Sequence, residues 1–402
     1  MTGKMQELWP MKITYFCLSW AGFATVKTQS DRKLLNILLS VFVIMSITVL
    51  YLVVLDLYYD IKEGRDSQEI IAALFPVVLT FLTSFKLISL AVRRRLYERL
   101  LQTTREKLWT QSWTEYGKNV LLQCGRQAYL FFIIFGVVAY ICGAAFVVGP
   151  IVLMRTDNIT SPSDRRLPHE IRIGLPGHET PFYEIFYAIN VFGITVVTIL
   201  YFCFDYYLVL MNIFLVGQFD ILNNRFEVIY EHKKDQGGGI GTSPILREFK
   251  KCVKQHQYLI WLAGEMESLY KISNLAHVLT YSFVICIAGY QLLLAKRLFF
   301  IIKYGIFFFG CLLQLSSITL TCHNIKIASE EIANGIYRSN WYYENCSEEG
   351  RALCKNFILV FMKTQYPCCL TAWGFFPITL DTLKSVVTTA FSYLTLMRKN
   401  MA

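Results

Sequence analysis

Histidine and cysteine are the side chains that most often carry catalysis or hold a metal, and the chain has six and twelve of them. The histidines are scattered, with no pair at the i, i+4 spacing that puts two ligands on one helix face. No Gly-x-Ser-x-Gly nucleophile motif and no Cys-x-x-Cys spacing occurs. The sequence therefore predicts neither an enzyme, nor a metal site, nor a cofactor.

The cysteines predict free thiols, because none lies in a segment expected outside the cell, where disulfides form. One group lies within long apolar segments: Cys142, Cys203, Cys286, Cys311 and Cys322. A second group lies in segments expected in the cytoplasm: Cys17, Cys124, Cys252, Cys346 and Cys354. The pair Cys368-Cys369 directly precedes the last apolar segment.

Hydroxyl side chains near the C-terminus have a spacing that suits ion passage. Ser385, Thr389, Ser392 and Leu396 follow one another at i, i+4, i+7 and i+11, which places them on one helix face. Hydroxyls that line water, followed by an apolar constriction, would form a cation pathway with a gate. Small hydroxyl residues also pack membrane helices against each other, so the spacing alone leaves both interpretations open.

The elements that position these residues are membrane helices. The chain is 54% apolar and 17% charged, and its apolar residues form unbroken blocks. Each block is long enough to cross a hydrocarbon core of about 30 Å. The sequence thus predicts an all-α, polytopic membrane protein with seven transmembrane helices, at Leu34–Leu55, Ile70–Val92, Gln127–Met154, Ile185–Phe204, Ile272–Ala295, Tyr304–Ile325 and Leu370–Met397.

Flanking charges predict a cytoplasmic N-terminus and an extracellular C-terminus. Lys27, Arg32 and Lys33 precede the first span, and the second is followed by three arginines at 93–95. The sequon at Asn158 then lies outside the cell and is expected to carry a glycan, whereas the sequon at Asn345 would be cytoplasmic. The chain has a net charge of +10 but no basic block with interleaved aromatic residues, so nucleic acid is not an expected partner.

Four regions follow from this topology. They are a cytoplasmic N-terminal segment with an interfacial helix (1–33), spans one to six with an extracellular loop (155–184) and a cytoplasmic loop (205–271) within 34–326, a cytoplasmic anchor segment (327–369), and the seventh helix (370–402). The apolar stretch Tyr206–Phe219 predicts that helix four continues below the membrane. Charged helices are predicted at Arg247–Lys271 and Glu330–Lys363, and residues 236–241 are a glycine-rich linker.

The last apolar stretch is interrupted. Gly374 and Pro377 break helical hydrogen bonding, so the final helix is expected to split into a cytoplasmic piece and a membrane piece. Asp381 and Lys384 are i, i+3 neighbours within it and could form an ion pair, which would lower the cost of their burial.

The C-terminal third resembles the insect odorant receptor family. The resemblance rests on an ordered series over about residues 327–397: Tyr337 with Trp341-Tyr342, Gln365-Tyr366-Pro367, Gly374-Phe375-Phe376-Pro377, Leu380-Asp381-Thr382, and Ser392-Tyr393 with Leu396. Gustatory receptors are similar, but they typically end in Thr-Tyr-x5-Gln-Phe. The odorant coreceptor has a longer loop between spans four and five. A ligand-tuning subunit therefore fits best.

The resemblance implies a ligand-gated, non-selective cation channel in the plasma membrane of sensory neuron dendrites. It implies a heterotetramer with odorant coreceptor subunits, and a pore and gate formed by Ser385, Thr389, Ser392 and Leu396. It also implies a site for a small volatile, aromatic or lightly functionalised odorant in the outer halves of spans two, three, four and six. The residues there are Phe75, Val78, Leu79, Tyr140, Gly143, Val147, Phe186, Asn190, Gly193, Phe307, Phe308 and Cys311.

A seven-helix G-protein-coupled receptor or a gustatory-type chemoreceptor is the main alternative, and a transporter is the third. With the N-terminus outside, Cys124 and Cys252 could form the disulfide typical of G-protein-coupled receptors. However, span three ends in Met154-Arg155-Thr156 rather than Asp-Arg-Tyr, and span seven lacks Asn-Pro-x-x-Tyr. No internal repeat supports a transporter.

Overall fold

The computed structural model describes residues 9–23, 29–108, 111–112, 114–157, 161, 165–169, 178–230, 243–339, 341 and 348–401. These residues form ten α-helices, one π-helical turn (Thr104–Leu108) and one short hairpin. The helices are α1 (Trp9–Trp20), α2 (Gln29–Lys62), α3 (Ser67–Val92), α4 (Arg94–Thr103), α5 (Glu115–Thr156), α6 (Phe182–Glu227), α7 (Ser243–Leu294), α8 (Leu298–Arg338), α9 (Glu348–Thr364) and α10 (Leu380–Met401). The hairpin pairs β1 (Thr371–Ala372) with β2 (Phe376–Pro377).

Seven of these helices correspond to the seven predicted spans. Within the described residues, α2, α3, α5, α6, α7 and α8 are long and apolar enough to cross a membrane. The seventh, α10, has 22 residues and a length of about 33 Å, which also suffices. Because α10 carries a polar face, its composition is less apolar than that of the other six.

Four helices run well beyond a bilayer. Helices α5, α6, α7 and α8 contain 42, 46, 52 and 41 residues, which makes them roughly 60–80 Å long. We call the end of the bundle that carries α1 the inner end. There, helix α6 continues as predicted, and its residues 206–219 are nearly all buried against α5, α7, α8 and the short helix α1. A helix that is apolar all round needs such neighbours on every side.

Polar contacts join the helices at the inner end. Arg225 of α6 donates to Gln255 of α7 at 2.5 Å and forms an ion pair with Glu248. Burial alone would raise the pKa of Glu248, but hydrogen bonds from Arg225 and Lys251 hold that pKa below its ordinary value. Glu248, Lys251 and Gln255 belong to the charged helix predicted at Arg247–Lys271, which is present as the first half of α7.

The C-terminal segments differ from the prediction in their bounds. The helix predicted at Glu330–Lys363 is two helices, since α8 ends at Arg338 and α9 begins at Glu348. The seventh helix begins at Leu380 rather than Leu370, because the hairpin occupies the residues before it.

The hairpin has its own local cause. Trp373 and Gly374 have φ values of 52° and 80°, the left-handed region in which glycine is unstrained. Glu267 of α7 accepts hydrogen bonds from the backbone and the hydroxyl of Thr371, which anchors the turn to the bundle. The final segment is thus split as predicted, into α9 with the hairpin and a separate α10. The predicted pair Asp381–Lys384 is wrong: both side chains are described and exposed, and no ion pair joins them.

Candidate ligand-binding site

A cavity of about 140 Å³ lies inside the bundle, between α3, α5, α6, α7 and α8. Three aromatic rings close its outer end. The ring of Phe307 lies 4.7 Å from that of Phe75 and 5.1 Å from that of Phe146, measured between centroids. Small residues of α5 and α8, namely Ala139, Gly143 and Gly310, leave the space between these helices open. An apolar cavity of about 150 Å³ holds a benzene molecule, so this cavity has the size of a single-ring ligand.

The inner end of the cavity is polar. Thr83, Tyr201, Tyr281 and Gln314 line it, each from a different helix. Gln314 also belongs to a buried network with Lys86, Asp205 and His277. These three residues lie about one helical turn further inward, on α3, α6 and α7. The network therefore joins α3, α6, α7 and α8 directly beneath the cavity.

The network is built on an ion pair. Lys86 Nζ lies 2.5 Å from Asp205 Oδ1, and both side chains are 5% exposed. Gln314 Nε2 donates to the other oxygen of Asp205 at 2.8 Å. Lys86 Nζ also lies 3.0 Å from His277 Nδ1, and because an ammonium group only donates, the imidazole proton must sit on Nε2. Charges inside a bilayer are expensive unless paired, and these two neutralise each other.

Tyrosine rings connect the network with the cavity wall. The Lys86 ammonium lies 5.0 Å from the ring centroid of Tyr201. The imidazole of His277 stacks on the ring of Tyr281, with centroids 4.2 Å apart. Both tyrosines line the cavity, so an occupant of the cavity touches groups that contact the ion pair.

Five of the residues predicted for ligand binding line this cavity: Phe75, Leu79, Gly143, Phe307 and Cys311. They come from α3, α5 and α8. The structure thus brings together part of the predicted set at one place.

The other seven predicted residues lie elsewhere. Tyr140 is 77% exposed on the outer surface of α5, and Val78 packs in the apolar cluster beside the cavity. The carbonyl of Val147 accepts a hydrogen bond from Tyr187. Asn190 donates to the carbonyls of His169 and of Phe186, its neighbour on α6. Two more face other helices: Gly193 faces Val49 of α2, and Phe308 faces Phe391 of α10.

Sequence reasoning missed the polar end of the site. Tyr201 and Gln314 were not selected, and Tyr281 lies on span five, which was not among the helices considered. A usable signal was present, since Lys86 interrupts the second apolar segment and Asp205 ends the fourth. Ionisable residues within membrane segments mark functional sites by default, and both are one turn from a residue that lines the cavity.

The last helix packs into the apolar cluster that includes part of the cavity wall. On its buried face, Ala390 and Leu394 belong to the same apolar cluster as Phe75, Tyr281 and Phe307. Gly289 of α7 permits this contact, because a Cβ atom there would lie 2.6 Å from Leu394 Cδ1. The opposite face carries Ser385, Thr389, Ser392 and Leu396, all of which are exposed in the single chain.

The remaining sequence predictions can be placed only in part. Every cysteine that the structure describes is free, and Cys124 contacts the carbonyl of Ile213 rather than Cys252. Both sequons, at Asn158 and Asn345, lie outside the described residues. Their predicted glycosylation states stay predictions.

Comparison with known proteins places the chain in a family. The model of the 7tm odorant receptor family matches residues 66–391. Odorant receptor 13a of Drosophila melanogaster is 22% identical over 334 residues, which cover 81% of this chain and 78% of that protein. Odorant receptor Or2 of Anopheles gambiae is 22% identical over 237 residues, or 58% of this chain and 61% of that protein. The chain thus spans less than two thirds of the length of Or2.

Solved structures show the same fold. The olfactory receptor OR5 of Machilis hrabei superposes with a TM-score of 0.80 at 13% sequence identity, covering 96% of this chain and 97% of that one. The same receptor in complex with eugenol gives a TM-score of 0.77 at 14% identity. Because the family model matches most of the length of this chain, the chain belongs to the 7tm odorant receptor family.

Proposed function

We propose that this odorant receptor is the ligand-tuning subunit of a ligand-gated, non-selective cation channel in the plasma membrane. A small volatile ligand occupies the cavity between α3, α5, α6, α7 and α8, and the exposed face of α10 lines the pore. The observation that carries the proposal is a shared apolar cluster, which contains Phe75, Tyr281 and Phe307 of the cavity wall together with Ala390 and Leu394 of α10.

The cavity supports a single-ring ligand. Its volume of about 140 Å³ matches one ring with a small substituent, and the rings of Phe75, Phe146 and Phe307 offer aromatic faces. The related receptor OR5 has been solved with eugenol, which agrees with a small organic ligand for this fold. Burial of such a ligand stabilises the helix packing that accommodates it, and this shifts the population of conformers.

The exposed face of α10 supports a shared pore. Ser385, Thr389, Ser392 and Leu396 lie on the face opposite to Ala390 and Leu394, where no other part of the described chain covers them. One such face cannot enclose a water path, so several subunits must meet around an axis. We propose coreceptor subunits of the family as the partners in a heterotetramer.

The cavity is tested by filling it. Gly143 lies next to Thr198 in the cavity wall, where a Cβ atom added at Gly143 would be 3.5 Å from Thr198 Oγ1. The larger side chain of a leucine at this position therefore occupies ligand space. Overpacking of about 1–3 kcal/mol raises the half-maximal odorant concentration about 5- to 150-fold. Gly193→Leu is the matched control, since Gly193 faces Val49 and not the cavity. Whole-cell dose–response curves that shift equally for both variants, or for neither, would place the ligand elsewhere.

The channel assignment is tested by co-expression. Odorant is applied to cells that express this chain alone, the coreceptor alone, or both, and we expect current only from the pair. Leu396→Ala should alter the resting leak or the cation permeability of that pair, because it widens the apolar constriction. A full odorant current from this chain alone would contradict the heteromer, and unaltered permeation in the variant would remove Leu396 from the pore.

A G-protein-coupled receptor is not favoured by any contact among the described residues. Its supporting disulfide would need Cys124 and Cys252 to be bonded, and both are free thiols.

A further inference from the structure

Two polar groups at the inner end of the cavity lack partners within the described part of the protein. The hydroxyl of Tyr201 is buried and makes no hydrogen bond there. The amide of Gln314 has a fixed orientation, because the Asp205 carboxylate accepts only, so the nitrogen of Gln314 must face it. The oxygen of Gln314, which points away, accepts no hydrogen bond from any described residue.

Unpaired polar groups of this kind select the chemistry of an occupant. A buried donor or acceptor without a partner is unfavourable, and a ligand that supplies the partner gains relative to one that does not. Tyr201 both donates and accepts, whereas the oxygen of Gln314 only accepts. A partner that serves both groups must therefore donate to Gln314, and a single hydroxyl group can do so while it accepts from Tyr201.

The charge at this end excludes ionic ligands. Lys86 and Asp205 neutralise each other at 2.5 Å, so neither is left to pair with a carboxylate or an ammonium group of a ligand. The rest of the cavity wall is apolar or aromatic and would not solvate an ion.

From these observations we infer that the cavity selects a neutral single-ring ligand with one hydroxyl group, which accepts from the Tyr201 hydroxyl and donates to the oxygen of Gln314. The inference rests on the proposed function, because it names the ligand class for the same cavity. The ion pair does not contact the ligand. Asp205 accepts a hydrogen bond from the Gln314 amide nitrogen and thereby orients the amide so that its oxygen is free for the ligand.

Three ligands of nearly equal size separate the hydrogen bond that the ligand accepts from Tyr201 from the one that it donates to Gln314. 4-Methylphenol donates and accepts, 4-methylanisole only accepts, and 1,4-dimethylbenzene does neither. In cells that co-express the coreceptor, we expect 4-methylphenol to act at a half-maximal concentration about three- to tenfold below that of 1,4-dimethylbenzene, with the ether between them. Equal potency of all three would overturn the inference.

Tyr201→Phe removes one hydroxyl and leaves the ring that lines the cavity. We expect it to raise the half-maximal concentration of 4-methylphenol about three- to tenfold. The half-maximal concentration of 1,4-dimethylbenzene should change by less than about twofold. Gln314→Met should raise the half-maximal concentration of 4-methylphenol and leave that of 4-methylanisole unchanged, since the ether has no proton to donate. Tyr140→Phe is the matched control, because it removes a hydroxyl from an exposed position of α5 and should change none of the three responses.

The outcomes also distinguish this inference from the proposed function. A Tyr201→Phe variant that shifts the phenol and the hydrocarbon equally, or neither, overturns the hydroxyl recognition while the cavity stands. Responses to all three ligands that are insensitive to Gly143→Leu overturn the cavity and the inference together. A failure of all three ligands to evoke current at any concentration overturns the assignment of the ligand class.

Discussion

The buried pair Lys86–Asp205 permits a quantitative test of how the bundle is held together. Lys86→Met removes the charge and keeps most of the side-chain volume, and it leaves the Asp205 carboxylate with Gln314 as its remaining strong partner. Loss of one partner of a buried pair lowers the free energy of unfolding by about 3–5 kcal/mol, because the remaining charge is uncompensated. Native proteins are stable by about 5–15 kcal/mol, so this is a large fraction.

A double variant separates charge pairing from packing. Lys86→Met combined with Asp205→Asn leaves two neutral side chains, and the asparagine can still hydrogen-bond Gln314. We expect the double variant to recover all but about 1 kcal/mol of the loss, since replacing both members of a buried pair is often nearly neutral. Lys118→Met is the matched control. Its ion pair with Glu115 is nearly as short, at 2.6 Å, but is exposed, so a loss of less than about 1 kcal/mol in the free energy of unfolding is expected.

The assay is the thermal stability of the solubilised receptor, fused to a fluorescent protein and followed by size-exclusion chromatography after heating. The Lys86→Met variant should lose roughly 5–10 °C in its apparent midpoint, and the double variant should return most of that. A double variant no more stable than Lys86→Met alone would show that the lysine does not act by neutralising Asp205. A Lys86→Met variant as stable as the wild type would show that the Lys86–Asp205 ion pair does not stabilise the bundle.

Three further predictions concern the loops, the inner end and the pore helix. Asn158→Gln should shift gel mobility after microsomal expression and Asn345→Gln should not, because only the first sequon is predicted outside; a shift from Asn345 would invert the topology. Burial lowers the pKa of His256 from 6.5 to about 4. The unfolded chain therefore binds the extra proton first as pH falls, and the free energy of unfolding should decrease by up to about 3 kcal/mol between pH 6.5 and 4. His256→Gln should reduce that decrease in pH-dependent melting, and an identical pH profile would contradict it. Gly289→Ala, whose methyl group would press on Leu394, should change the resting current of the co-expressed channel, whereas Gly264→Ala, at a position with open space, should not; equal currents would separate this contact from gating.

Much of the fold could be read from the chain alone. The length and continuity of the apolar segments are local properties, and they place seven spans because a bilayer requires about twenty such residues whatever the neighbours are. The extension of helix four and the charged helix before span five were predicted in the same way, and both are present. Family membership also confirms that the chain is a receptor and not an enzyme.

The faces of the helices were decided by the tertiary structure. Gly143 and Tyr140 lie less than one turn apart on α5, yet Gly143 lines the cavity and Tyr140 is 77% exposed. A helix that is apolar all round has no polar face to mark its orientation, so periodicity gives no direction. The ion pair depends on the fold for the same reason: Lys86 and Asp205 are 119 positions apart in sequence, and only the packing of α3 against α6 brings them together. The sequence alone determined how many helices cross the membrane, since that depends on transfer of each segment into lipid. Which residues form the cavity depends on contacts between segments, and those exist only once the helices have packed.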